Sequence, residues 1–65
     1  MVQINGEAKE IAGKTLLEYL TENGFEPERV VVERNLEIIP SEALGHVMIQ
    51  DEDVIEVLRL SLIHI

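Results

Sequence analysis

The residues whose types could do chemistry in this chain are three consecutive acids, Asp51-Glu52-Asp53, and two histidines, His46 and His64. Carboxylate oxygens suit hard cations, but three neighbouring acids in a short turn cannot all point at one ion, and the spacing of a calcium loop is missing. No metal site is expected. The histidines lie far apart in sequence, and neither is accompanied by Asp, Glu or Ser in a catalytic arrangement, so both read as surface residues. There is no cysteine, which excludes disulfide staples, thiolate metal sites and thiol nucleophiles and is compatible with a reducing compartment. A nucleophile, a base and an oxyanion donor cannot be assembled from what remains. The chain is therefore expected not to be an enzyme and to hold neither cofactor nor metal.

What must be positioned is then a surface rather than a reaction centre. Sixty-five residues make one small domain, and a chain of this size buries only about 60% of the surface its unfolded form exposes. Its 46% hydrophobic content is mostly Val, Ile, Leu and Ala, with one Phe and one Tyr, a globular composition rather than a disordered one. Thirteen acids against five bases give a net charge of −8. That sign repels phosphate backbones and anionic lipid surfaces, so nucleic acid and membranes are not expected partners. It either keeps a small protein in solution or steers it onto a basic protein surface. The N-terminus has neither a basic region nor a hydrophobic run, and no apolar stretch reaches the roughly 18 residues that cross a bilayer. A cytoplasmic location is expected.

Val2-Gln3-Ile4-Asn5 alternates apolar and polar residues, Asn5-Gly6 supplies the two φ > 0 positions of a type I′ turn, and Ala8-Lys9-Glu10-Ile11 resumes an alternating strand. Thr15-Leu16-Leu17-Glu18 has the spacing of a capping box and opens a helix of about two turns. Leu16, Leu17 and Leu20 form its apolar stripe, Tyr19 sits beside that stripe as a partly covered residue, and Asn23-Gly24 gives the left-handed stop. Val30-Val31-Val32-Glu33-Arg34 is the most β-prone run and reads as an interior strand. Asn35-Leu36 reads as a weaker turn, Glu37-Ile38-Ile39 as a short strand ended by Pro40, and Ser41-Glu42-Ala43-Leu44 as one helical turn. Val47-Met48-Ile49 returns to the core, and Asp53 to Leu58 form the last strand. The order β-β-α-β-β-(helical turn)-β predicts an α+β fold with one mixed sheet of about five strands and the helix packed across one face, the β-grasp or ubiquitin-like arrangement. Ile4, Ile11, Leu16, Leu20, Val30, Val32, Ile39, Leu44, Ile49, Ile55 and Val57 are the expected core.

In order and spacing, Val2-Gln3-Ile4-Asn5-Gly6-Glu7, Lys14-Thr15-Leu16, Val30 to Asn35, Glu37-Ile38-Ile39-Pro40 and Gln50 to Val57 resemble the thiamin-biosynthesis sulfur carrier family (ThiS) across about residues 1 to 60. The small subunit of molybdopterin synthase is a related alternative. The resemblance implies a ubiquitin-like carrier for thiazole synthesis whose C-terminal Gly-Gly carboxylate is adenylated by an E1-like adenylyltransferase and converted to a thiocarboxylate. The sulfur then passes to thiazole synthase. This chain departs from the pattern in Leu62-Ile63-His64-Ile65. A tail threading a narrow channel needs residues without a β-carbon that are free in φ, so the sequence as written is expected to be inactive in loading. Residues 61–65 read as an atypical tail after a carrier domain of residues 1–60, either non-native or the mark of a relative that only binds. A ubiquitin-like interaction module that carries nothing is the reading from another class.

Strand alternation adds an expectation about the sheet. If Val32 and Val57 point inward, Val31, Glu33, Glu56, Leu58 and Leu60 turn to the other face. They would form an aliphatic patch ringed by acids, a docking surface for partner enzymes. The β-prone run from Val57 to Ile65 is further expected to support self-association by strand pairing.

Overall fold

The computed structural model describes residues 1–59, in which a five-stranded mixed sheet carries one α-helix and two short 3₁₀ turns. The first hairpin pairs β1 (Val2–Ile4) with β2 (Glu7–Lys9) in antiparallel register, Val2 opposite Lys9 and Ile4 opposite Glu7. Only Asn5 and Gly6 connect the strands, at φ 51° and 86°. Both lie in the left-handed region that a type I′ turn demands. β2 is shorter than the alternation predicts, because the chain leaves the sheet before Ile11, whose carbonyl accepts from the amide of Lys14 in a turn.

The helix, α1 (Leu16–Glu22), begins at the expected capping box. Thr15 Oγ1 accepts the amide of Glu18 at 3.1 Å, and Glu18 Oε1 accepts the amide of Thr15 at 2.9 Å. Two donors that the first turn leaves open are thereby satisfied. At the other end Gly24 sits at φ 80°, its amide bonding Thr21 and the amide of Phe25 bonding Leu20. Together they satisfy carbonyls of the last turn in a Schellman arrangement. Leu16, Tyr19 and Leu20 are buried at i, i+3 and i+4, the spacing of one helix face. Leu17 is therefore not part of the stripe as expected. It lies at the margin, where its Cδ2 covers Gly45, and the phenol-bearing Tyr19 takes the inward position instead.

After a 3₁₀ turn at Pro27–Arg29 come β3 (Val30–Arg34) and β4 (Glu37–Ile39), a second hairpin with Arg34 opposite Glu37. The connecting Asn35-Leu36 pair is not a weak turn. Its φ values of 53° and 72° make it a second two-residue turn of the primed kind. A longer 3₁₀ stretch, Ser41–His46, brings Leu44 inward, and Val47–Ile49 returns beside the helix entry. There Val47 accepts from Leu16, Lys14 accepts from Ile49, and Ile49 accepts from Gly13.

The last strand, β5 (Val54–Arg59), inserts between β1 and β3, giving the sheet order β2-β1-β5-β3-β4. It runs parallel to β1 and antiparallel to β3. This is the β-grasp arrangement that the element order predicts. The core lies between α1 and one sheet face and comprises Val2, Ile4, Leu16, Tyr19, Leu20, Val30, Val32, Leu44, Ile49, Ile55 and Val57. Ile11 and Ile39, expected inside, are only half-buried. Ile39 sits on the edge strand β4 and Ile11 follows the edge strand β2, so each has sheet on one side alone. Val2, absent from the expected core, is fully buried because β1 is an interior strand with the same inward period as Ile4.

Candidate functional site

The sheet face turned away from α1 is set by alternation along β3 and β5. Ile55 and Val57 are buried against the helix, so Val54, Glu56 and Leu58 stand on the opposite side, with Leu58 50% exposed. The β3–β5 register places Val31 directly opposite Leu58 and Glu33 directly opposite Glu56. Four of the five residues expected on this face are thus brought together in two adjacent cross-strand pairs. The fifth, Leu60, lies outside the described residues.

Neighbouring strands extend the face beyond that expectation. Ile38 stands beside Glu33 on β4 and is 66% exposed, and Val54, beside Gln3 on β1, is 48% exposed. The same period of two would have found both residues: Val54 is two before Glu56, and Ile38 alternates with the inward Ile39. The result is an apolar surface of Val31, Ile38, Val54 and Leu58 around two carboxylates.

What sets those two carboxylates apart is that they face each other directly across two strands. Lys9, Lys14, Arg29 and Arg34 form ion pairs with Glu7, Glu22, Glu26 and Asp53. Among the described residues no cation pairs with Glu33 or Glu56. Like charges directly opposite on a sheet repel, so this pair costs the isolated domain stability.

Two asparagines and one aspartate hold the strand that carries the face. The amide of Val57 donates to Asn5 Oδ1 at 2.9 Å, and Asn5 Nδ2 donates to the carbonyl of Val57. Asn5 thereby continues the parallel ladder past the end of β1, where its own amide bonds Ile55. At the opposite end of β5 the amide of Val54 donates to Asn35 Oδ1 at 2.9 Å, while Asn35 Nδ2 reaches Asp53. Asp53 is only 5% exposed. Burial works to raise its carboxyl, but bonds from Arg34 Nε at 2.8 Å, the amide of Gln50 and Asn35 outweigh that and hold it below the usual carboxylate value. Beyond Val57, the guanidinium of Arg59 lies 4.7 Å from the centre of the Phe25 ring on the helix side, a cation–π contact.

The acidic run does not converge. Asp51 and Glu52 face the terminal amine of Met1, and Asp53 turns inward to Arg34. Among the described residues no group of three His, Cys, Asp or Glu side chains is placed to hold a metal ion. His46 is exposed at the end of a 3₁₀ stretch, and His64 lies outside the described residues. Of the run expected to self-associate, Val57, Leu58 and Arg59 are paired with Val32, Val31 and Val30 of β3; the remainder lies outside the described residues, as does the atypical tail of 61–65. No described helix is long and apolar enough to cross a membrane.

With this geometry in hand, three comparisons bear on it. The model of the ThiS family matches residues 2–60. A thiazole synthase of Magnetococcus marinus is 41% identical over 59 residues, which cover 89% of this chain and 18% of the relative. The chain thus spans less than a fifth of the length of that curated relative. A crystal structure of a thiamine biosynthesis protein (ThiS) from Geobacter metallireducens superposes with a TM-score of 0.75, covering 97% of each chain at 24% identity. At that identity the superposition speaks for the fold.

Proposed function

The chain belongs to the ThiS family of small sulfur carriers, and on that premise we propose that it serves thiazole formation in thiamine synthesis, docking through the open sheet face onto an E1-like adenylyltransferase and delivering to thiazole synthase. The observation that carries this reading is the pairing of Val31 with Leu58 and of Glu33 with Glu56 on the strand that leads to the tail. An adenylating enzyme must hold the body of a carrier while the tail reaches its nucleotide site. A face on β5 itself fixes the distance between grip and tail more closely than a face elsewhere would.

The chemistry expected of the tail is acyl activation. A terminal carboxylate that attacks the α-phosphorus of ATP breaks the α–β phosphoanhydride and releases pyrophosphate, and sulfide-level sulfur from a donor then displaces AMP from the acyl carbon to give the thiocarboxylate. The domain supplies no catalytic group in this scheme; it positions. Residues 60–65 contain no glycine, so loading is proposed for a chain that carries Gly-Gly beyond β5, and docking for this chain as written. Delivery to thiazole synthase draws support from the relative of that name that contains a segment similar to this chain.

Binding tests the docking reading. Leu58→Asp puts a charge on the apolar surface without entering the core, and we expect affinity for the adenylyltransferase to fall at least tenfold. Unchanged affinity in a folded Leu58→Asp domain would contradict the proposal.

A further inference from the structure

Two hairpins of this molecule use the same two-residue turn, and they differ in one residue. In the first, the second turn position is Gly6 at φ 86°; in the second it is Leu36 at φ 72°. A bulky side chain in the left-handed region is strained, and glycine is the residue such a turn favours. The Arg34–Glu37 pairing holds the turn in place, and the leucine side chain is left 92% exposed. It is unfavourable twice over, in its backbone and in its contact with water. Backbone strain of this kind at an exposed position points to a role outside the folded state itself.

The position of Leu36 says what that role is. The turn joins β3 to β4, Leu36 is two residues from both Arg34 and Ile38, and Ile38 stands directly opposite Glu33 on the open face. Leu36 therefore lies at the outer corner of the second hairpin, next in line after Ile38 and at the opposite end of the strands from Leu58. We propose that Leu36 is an anchor residue of the docking face, entering an apolar pocket on the adenylyltransferase whose rim carries arginine or lysine to meet Glu33 and Glu56. This deepens the docking reading and rests on it. The two carboxylates stand directly opposite each other with no cation between them among the described residues, a concentration of negative charge that a basic partner surface complements. The same charge argues against a second copy as the occupant. With a net charge of −8, another molecule of this chain would bring acids against acids.

The experiment is a binding series against the E1-like adenylyltransferase of the same pathway, with thermal unfolding of each variant measured in parallel. Leu36→Gly relieves the strain and removes the side chain, so it is expected to leave the unfolding midpoint unchanged or raised while weakening binding about tenfold or more. Leu36→Asn keeps a residue suited to left-handed backbone and is expected to weaken binding similarly. Leu36→Met keeps an unbranched apolar side chain and is expected to stay within about threefold of the parent. If Leu36→Gly and Leu36→Asn bind as the parent does while Leu58→Asp binds weakly, the anchor is overturned and the docking face stands. If the parent chain does not bind, or Leu58→Asp has no effect, the face fails and the anchor with it. A parent that dimerises in sedimentation and becomes monomeric on Leu36→Gly would make a second copy the occupant and overturn the proposal.

Discussion

Glu33 and Glu56 occupy directly opposed positions on β3 and β5, and among the described residues neither meets a cation. A pair of like charges facing each other across two interior strands is a stability cost that a single substitution would remove. Glu56→Lys turns the pair into one of opposite charge, and we expect the folded domain to gain about 0.5–1 kcal/mol in denaturant unfolding. The same substitution places a positive charge where the docking reading requires a basic partner, so affinity for the adenylyltransferase is expected to fall. Gain of stability together with loss of binding separates this account from one in which the glutamates only keep the domain in solution.

Asn5 is expected to matter more than its place in a surface turn suggests. Its side chain makes both hydrogen bonds to Val57 and its backbone sits at φ 51°. Asn5→Ala removes the bonds and strains the turn, at a cost of about 1–2 kcal/mol. Asn5→Gly relaxes the turn and removes the bonds alone, so its loss in urea unfolding should be the smaller of the two. Equal stability of all three proteins would show that the clamp on Val57 holds nothing.

Acid should weaken the fold through Asp53. Its folded-state carboxyl is held below the usual value by Arg34, Gln50 and Asn35 despite its burial. The sign follows from linkage: a depressed folded value stabilises at every pH above the unfolded carboxylate value, and that contribution is lost as pH falls through the folded one. Asp53→Asn is expected to cost about 1.5–3 kcal/mol near neutral pH. It should also flatten the decline in urea midpoint on acidification, since the substituted side chain has no proton to take up.

Much of this arrangement can be read without coordinates because each local signal agrees with the whole. Thr15 and Glu18 announce the helix, Asn5-Gly6 the first hairpin, and the alternation through β3 and β5 both the core and the opposite face. The face residues of β3, β4 and β5 follow from period two alone. The rest depends on neighbours that lie far away in sequence. Whether Val2 is buried depends on β5 inserting beside β1 some fifty residues later, and whether Ile39 is buried depends on β4 remaining an edge. Tyr19 displaces Leu17 because the helix rotates to face the sheet, with Gly45 waiting under Leu17. Asn35-Leu36 reads as a weak turn because leucine is a poor residue at φ > 0. Tertiary pairing of Arg34 with Glu37 imposes the conformation. Asp53 could not be told from Asp51 and Glu52 by residue type, since Arg34 reaches it only after β3 and β5 are adjacent.

The most direct test of the carrier reading is mass. A chain that keeps residues 1–59 and ends in Gly-Gly shortly after Arg59 is incubated with ATP, the adenylyltransferase and a sulfur donor, and the intact protein is weighed. The account predicts replacement of one terminal oxygen by sulfur, abolished by Leu58→Asp. An unchanged mass, under conditions in which another ThiS protein is converted by its own enzyme, would contradict it.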